Sequence, residues 1–402
     1  MKRSEFIHKS LAFGAGMSLF SLIAQSCEQP EDGGLIPILD TEFSGKVLII
    51  GAGAAGMGAA YFLERNGIEY EVLEASTTFG GRVKRASGFA DFPIDLGAEW
   101  LHADPETLTE LVADPTTAVD VDLIRYRPQE IEAWNGNKLN RHNWVRALYA
   151  EYKFKSITWY GFFEKYFIPH IGDKIRYKQA VAKIDYTGDQ VAVTTEEGEV
   201  FEADRVLITI PIAVLQQETI EFVPALPAEK KTAIQNVYIG DGIKVFIEFT
   251  ERFYPDLVLT NGLWSSGEAA EHLFYDAAFR KEAQSHVLGL FTVGEKATPY
   301  TNLNSEEEIM TKIMAELDEM FDGKASDTYV QHVIQNWSKE PYIGGSYALD
   351  YEGDREDIID TILAPVNNQL YFAGEALNKV WQSTVNGACE SGYAVVQEMV
   401  SI

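Results

Sequence analysis

Gly51, Gly53 and Gly56 follow the apolar run Val47 to Ile50 and precede a helical pattern, which is the spacing of a phosphate-cradling turn. In such a turn the first glycine allows the strand end to bend sharply. The second lets the backbone approach a pyrophosphate, and the third brings the helix close to the sheet so that its N-terminal N–H groups face the phosphates. A second apolar strand, Ile68 to Glu74, ends on a carboxylate 23 positions after Gly51. An acid at about that distance meets the ribose hydroxyls of a bound dinucleotide. Glu74 is therefore the predicted ribose ligand, with Ala54, Ala55 and Ala75 lining the same cradle. Farther along, Gly242 to Phe249 alternates strictly and places Lys244 on one face with Phe246 and Glu248. Taken alone, that pattern reads as a strand lysine facing solvent.

The elements that must position these residues alternate between strand and helix. A helix is expected over 57–64, ending at Asn66 and Gly67. Residues 103–173 read as helical and rich in aromatics, including 144–167. A meander follows over 179–203, turning at Gly188 and Gly198, and Val206 to Ile210 suits a buried parallel strand. Helices are expected over 305–321 and 384–399, the second after a buried strand at 369–373 that runs into Gly374 and Glu375. Two lobes interleaved along the sequence satisfy this order. The 402 residues, 46% of them hydrophobic, are enough for both.

The formal charge is −28. An acidic surface without a basic stripe repels phosphate backbones, so no nucleic-acid partner is expected. It would draw in cationic small molecules. The N-terminus has a different character. Lys2, Arg3 and Lys9 precede an apolar stretch from Leu11 to Ala24 that is too short to span a bilayer, and Cys27 follows. This reads as an export signal, with the first arginine of a twin-arginine pattern kept and the second lost. Cys27 resembles a lipoprotein acceptor, which makes the expected location periplasmic or membrane-anchored. Cys389 would then be the one remaining cysteine, and no intrachain disulfide is expected.

The separated motifs resemble the flavin-containing amine oxidases, a family that includes monoamine oxidases, polyamine oxidases and the lysine-specific histone demethylase. The likeness rests on the Gly51–Gly56 turn with Glu74, on Gly80, Gly81 and Arg82, and on Asp95, Gly97 and Ala98. It continues in Thr209 to Pro211, in Trp337 with Gly344 to Tyr347, and in Ala373, Gly374 and Glu375. It implies an α/β (mixed α+β) fold: a Rossmann-like FAD-binding domain in discontinuous segments, interleaved with a substrate domain of mixed sheet and helices. The implied division is a signal at 1–27, a linker at 28–43, FAD-binding segments at 44–102, 175–240 and 341–402, and substrate segments at 103–174 and 241–340.

The resemblance also implies roles. FAD would be held by the glycine turn, Glu74, Gly81, Arg82, Gly97, Ala98, Glu99, Trp100, the backbone of Val181, Trp337, Gly374, Glu375 and the helix opening at Thr384 and Val385. Arg82 would lie near the flavin phosphates, where a planar, permanently charged fork suits the task. Ser346 stands where monoamine oxidases carry the flavin-linked cysteine, so FAD is expected to be non-covalent. Lys244 matches the family lysine that holds a water at flavin N5. Tyr347 would form one wall of the amine cage, with Trp381 and Thr384 on the other, where monoamine oxidases place a tyrosine. His102 matches a histidine found near the flavin in many polyamine oxidases. Asn386 replaces the histidine usual in that subgroup.

The implied reaction is hydride transfer from an amine carbon to flavin N5, giving an imine and then an aldehyde, with oxygen reduced to hydrogen peroxide. No metal is required. Two alternatives remain open here. An L-amino-acid oxidase would need Arg125 or Arg127 turned inward to clamp a carboxylate. A non-catalytic protein stabilised by FAD is the other.

Overall fold

The computed structural model describes residues 39, 41–142, 151–260 and 271–401. The expected signal, Cys27 and most of the linker lie outside the described residues.

Five strands form an all-parallel sheet in the order Ile175–Tyr177, Tyr70–Glu74, Val47–Ile50, Arg205–Ile208, Leu370–Phe372. Its strands come from segments far apart in the chain, and their all-apolar centres follow from burial on both faces. Val47, Ile49, Val72, Leu207 and Tyr371 point into one core, shared with the helices Ala54–Arg65 and Val385–Ser401. Leu48, Ile50, Leu73, Val206, Ile208, Leu370 and Phe372 point into the other, beneath the 181–203 meander and the helix Arg355–Leu363. The two helices of the first core pack closely because Gly58 and Gly392 meet them. A Cβ on Gly58 would stand 2.9 Å from Cys389 O, and one on Gly392 would collide with Ala55 O.

The meander belongs to a four-stranded sheet, Val200–Ala203, Val191–Thr195, Val181–Asp185 and Glu221–Val223. A seven-stranded sheet runs in the order Tyr329–Asn336, Gly242–Phe249, His286–Val293, Glu271–Asp276, Leu257–Thr260, Ile131–Trp134, Leu139–Arg141. Ile243, Val245, Ile247 and Phe249 of the lysine strand pack on the helix Glu306–Met320 through Ile309, Ile313 and Leu317. Ser305 caps that helix by accepting from Glu308 N.

The other face of the lysine strand was expected to meet solvent. Instead Phe246 joins Ile94, Leu96 and Tyr275 in a further core, so this face covers the loop that leaves the glycine-turn lobe. The helical expectation for 103–173 holds only in part, and of the aromatic stretch 144–167 residues 144–150 lie outside the described residues. Strands occupy Leu123–Tyr126, Ile131–Trp134, Leu139–Arg141 and Glu151–Phe154, with helices over Thr107–Val112, Trp159–Tyr166 and Ile168–Ile171. Tyr126, Trp134, Tyr152 and Phe154 lie on these strands, whereas Trp159, Phe162, Phe163 and Tyr166 lie on a helix as expected, and Trp100–Leu101 pairs antiparallel with Tyr152 and Lys153.

Candidate active site

The glycine turn lies at the C-terminal end of the strand Val47–Ile50, in the middle of the parallel sheet. Gly51 adopts φ +105°, which an L side chain resists. A Cβ on Gly56 would collide with Gly51 O, so only glycine lets the helix start there. The helix Ala54–Arg65 begins at Gly53 with no side chain capping it, which leaves its first N–H groups and dipole available to an anion. Glu74 closes the turn from the neighbouring strand: Oε2 accepts from Ala52 N at 2.7 Å and Oε1 from Ser76 N at 2.8 Å. Each oxygen keeps a lone pair for a hydroxyl donor. Ala75, next in the chain, is half-buried. Val181 opens its strand opposite Thr195, with a register irregularity just after it.

Arg82 and Glu375 come from opposite ends of the chain and meet at 2.8 Å, with Arg82 Nη1 also donating to Ser346 O at 2.7 Å. Glu375 Oε1 further accepts from Ala348 N at 3.3 Å. Its other oxygen, Oε2, is buried with no donor among the described residues. Such an acceptor is costly unless something donates to it. A Cβ on either Gly53 or Gly374 would find nothing within 4 Å. Gly81 touches Gly53 instead, a Cβ there lying 3.5 Å from Gly53 Cα. An uncapped helix N-terminus, open space beside two glycine loops and an orphaned carboxylate oxygen form a cradle. It fits a pyrophosphate flanked by hydroxyl groups, which is the donor and anion set of FAD.

Ala98 N donates to Arg82 O at 3.2 Å. A Cβ on Gly97 would collide with Arg82 O and stand 3.0 Å from Trp337 Cζ2. Trp337 is pinned there by its indole N–H, which donates to Leu96 O at 3.0 Å, so it buttresses the 96–97 loop. Trp100 is half-buried and its Nε1 has no acceptor among the described residues.

Lys244 is buried, and its Nζ donates to Asp95 O at 2.8 Å, Gly97 O at 3.1 Å and Glu99 Oε2 at 2.7 Å. An ammonium has three protons, and here each has an acceptor from the protein. The expectation that Lys244 holds a water therefore needs one of these bonds, of which that to Gly97 O is the longest, to be exchanged. Burial lowers the Lys244 pKa, and the Glu99 carboxylate opposes that.

Glu99, expected at the cofactor, spends its carboxylate on other side chains. Its oxygens take Lys153 at 2.5 Å and Lys244 at 2.7 Å, and Tyr275 donates its hydroxyl to Oε2. Burial pushes the Glu99 pKa up, but the two lysines more than offset it and hold the group ionised well below the ordinary carboxylate range. Asp95 is shifted the other way, by burial first and then by the Glu99 charge. Lys153, Tyr126 and Tyr275 are the members of this cluster that sequence reasoning missed. Its one visible trace was an acid at position 99 between the small Ala98 and the aromatic Trp100.

The C-terminal helix bears on the remaining residues. Thr384 caps it, accepting from Gly387 N at 3.0 Å and donating to Trp381 O at 2.7 Å. Its hydroxyl is thus committed to the helix, which leaves its methyl group as what it could offer to an amine cage. Val385 is buried at the first turn, and Trp381, half-buried, packs against the core that holds the glycine-turn helix. A Cβ on Gly387 would collide with Trp381 O, so this glycine fixes the Trp381 backbone. Tyr347 is half-buried after the Gly344–Ser346 loop. His102, also half-buried, pairs through Nδ1 with Glu151 Oε1 at 2.9 Å.

The profile of the flavin-containing amine oxidoreductase family matches residues 165–400, and that of an NAD(P)-binding Rossmann-like domain matches residues 49–114. The chain belongs to the flavin-containing amine oxidoreductases; it is an enzyme and its cofactor is FAD. Among its relatives, polyamine oxidase 4 of Oryza sativa subsp. japonica is 26% identical, the match covering 91% of each chain. Lysine-specific histone demethylase 2 of Homo sapiens is 25% identical over 86% of this chain, which spans about half (52%) of that protein. A solved putrescine oxidase with redesigned cofactor binding superposes with a TM-score of 0.72 at 17% identity, covering 89% of this chain and 99% of that one.

Proposed function

We propose that the protein oxidises a di- or polyamine, or another primary or secondary amine, at a carbon–nitrogen bond. The observation that carries this reading is the buried Lys244, held at the seam between the Asp95–Glu99 loop and the seven-stranded sheet. FAD, when bound, supplies the two-electron acceptor that no side chain of the chain offers, and oxygen restores it.

The residues around it bind, orient and exclude water. The helix N-terminus at Gly53 and the guanidinium of Arg82 suit the phosphates, Glu74 a ribose, and Glu375 Oε2 a hydroxyl donor. Trp381 and Tyr347 offer aromatic surface to desolvate the substrate. The positive charge at Lys244 disfavours an ammonium beside it, which selects the neutral amine whose nitrogen lone pair can follow the departing hydride. The amine carbon loses hydride and the nitrogen a proton. Water then hydrolyses the imine to an aldehyde, and oxygen leaves as hydrogen peroxide.

An acidic chain at −28 raises the local concentration of cationic amines. Arg125 and Arg127 are exposed and alternate with the buried Ile124 and Tyr126, so they offer no inward clamp for an amino-acid carboxylate. Ser346 donates its hydroxyl to Gly240 O at 2.9 Å and presents no thiol, in keeping with FAD held without a covalent link. The basic, apolar N-terminal stretch supports export with Cys27 as a lipid-anchor site. A peroxide assay on the FAD-loaded protein with putrescine, spermidine, spermine, benzylamine and L-lysine tests the reading. Turnover of an amine lacking a carboxylate supports it, and turnover of L-lysine alone contradicts it.

A further inference from the structure

Glu99 lies at the centre of a charge cluster of which the chemistry above uses only Lys244. Its two oxygens are divided between two lysines, Oε1 at 2.5 Å from Lys153 and Oε2 at 2.7 Å from Lys244. Glu99, Lys153, Lys244 and Tyr275 are all buried. The two lysines are not equivalent. Lys244 spends its other protons on the Asp95 and Gly97 carbonyls. Lys153 gives no hydrogen bond to a carbonyl or hydroxyl among the described residues. It stands over the rings of Trp100, Tyr126 and Tyr275, at 5.3, 5.1 and 4.7 Å, and shares Trp100 and Tyr275 with Lys244, which lies farther from both at 5.4 and 5.9 Å. Aromatic faces attract a cation without accepting its proton in exchange. Lys153 is caged by these rings, and Glu99 is its ion-pair partner.

The groups facing Lys244 from every packed element are few. From the glycine-turn lobe come Asp95, whose carboxylate accepts from Trp159 N at 3.0 Å, and Glu99. Lys153, Tyr126 and Tyr275 lie behind Glu99. Lys281 donates to Pro93 O at 3.1 Å beyond Asp95. Across the strand pairs stand the uncharged Phe291 and Gln335, the latter bonded to Glu340, which also pairs with Lys84 at 3.0 Å. Lys244 is therefore the second cation on a carboxylate already satisfied by a first.

We propose that Glu99 is the positioning residue for Lys244 and that Lys153, acting through Glu99, sets how readily Lys244 gives up its proton. Glu99 holds the Lys244 ammonium against the 95–97 loop, and Lys153 draws on the same carboxylate and weakens that hold. The inference rests on the amine-oxidase reading only for the rate at the site. The titration of Lys244 is independent of it.

The two partners have opposite electrostatic signs but the same structural sign, and this separates the proposal from a purely structural role. Removing either one breaks the same ion pair and destabilises the fold. Removing Glu99's charge, however, takes an anion from Lys244, while removing Lys153's charge takes away a cation. The test is a pH titration of the visible spectrum of bound, oxidised FAD in the full-length holoenzyme without amine, for wild type, Glu99→Gln, Lys153→Met, Glu99→Asp and Lys244→Met. The wild type titrates with one midpoint that Lys244→Met abolishes. Glu99→Gln moves that midpoint down by about 1–3 pH units, roughly a tenfold or greater change in the protonated fraction at fixed pH, and Lys153→Met moves it up. Glu99→Asp keeps the charge and shifts less than Glu99→Gln, and it serves where Glu99→Gln does not retain FAD. Midpoints moving in the same direction for Glu99→Gln and Lys153→Met overturn the proposal, as does a wild-type spectrum that does not titrate. Opposite shifts in a protein that no amine reduces would uphold it while refuting the amine-oxidase reading.

Discussion

The Arg82–Glu375 pair offers a quantitative test of the cofactor cradle before any substrate is known. Arg82 is about a quarter exposed, at 26%, and Glu375 is nearly buried, at 9%. Arg82→Met strands a buried carboxylate and also takes the donor from Ser346 O. Breaking a buried pair from one side costs roughly 3–5 kcal/mol. Solvent reaching the guanidinium discounts this to about 2–3 kcal/mol. Glu375→Gln leaves Arg82 with Ser346 O and water, and should cost about 1 kcal/mol. The double variant loses the shared interaction only once, so it should be more stable than the sum of the single changes by about 1–2 kcal/mol. Urea unfolding of the FAD-free protein measures all four corners. Additivity within about 0.5 kcal/mol would refute the pairing. Both single variants should also bind FAD at least about tenfold more weakly, a loss of roughly 1.4 kcal/mol, because each disturbs the orphaned acceptor at Glu375 Oε2.

Three further outcomes follow from particular side chains. Lys230 Nζ donates to the carbonyls of Thr361, Ile362 and Ala364, each at 2.7 Å, at the C-terminal end of the helix Arg355–Leu363. Lys230→Met orphans those acceptors and should cost about 2–4 kcal/mol in denaturant unfolding. His272 is lodged between Thr260 and Tyr300, and burial, with Lys296 and Lys312, pushes its pKa down to about 4. A folded pKa below the unfolded value means that the unfolded chain binds the extra proton between about pH 6.5 and 4, so stability falls as pH drops through that window. The loss reaches at most about 3 kcal/mol, and His272→Gln should flatten it in a melting series across those pH values. Thr384→Val removes a helix cap and should cost about 1 kcal/mol, whereas Thr384→Ser should keep both stability and turnover. A Thr384→Ser variant as stable as wild type but inactive would return this residue to the substrate cage.

What the sequence disclosed depended on how local the cause was. Gly51, Gly53, Gly56 and Glu74 sit within one strand–helix–strand unit, Gly51 and Gly56 held to glycine by local backbone geometry and Gly53 beside open space, so their spacing sufficed. The helix expected over 305–321 was found at Glu306–Met320, where Ser305 caps it and its first turn is acidic. Lys244 could be placed on a strand face but not inside the protein. What covers that face is the 95–99 loop, whose approach follows from the packing of two sheets. Glu99 was assigned to the cofactor because it lies between residues that line the cradle. Its partner Lys153 is on a strand far along the chain, and Trp100 comes opposite it only through antiparallel pairing. Residues 103–173 were read as helical because aromatics recur there at spacings that suit either period. The strand character of 123–154 is set by the sheets that its described residues join, while 159–171 is helical as expected.

The central claim is that the buried Lys244 site accepts electrons from an amine through FAD. Mixing the FAD-loaded protein with a diamine or polyamine under anaerobic conditions tests it most directly, followed by the visible absorbance of the oxidised cofactor and then by admission of air. Wild type should bleach rapidly, Lys244→Met should bleach at least about tenfold more slowly (roughly 1.4 kcal/mol of barrier), and air should restore the absorbance with release of hydrogen peroxide. An unchanged spectrum across primary, secondary and polyamines, in a protein that holds FAD stoichiometrically, would contradict it.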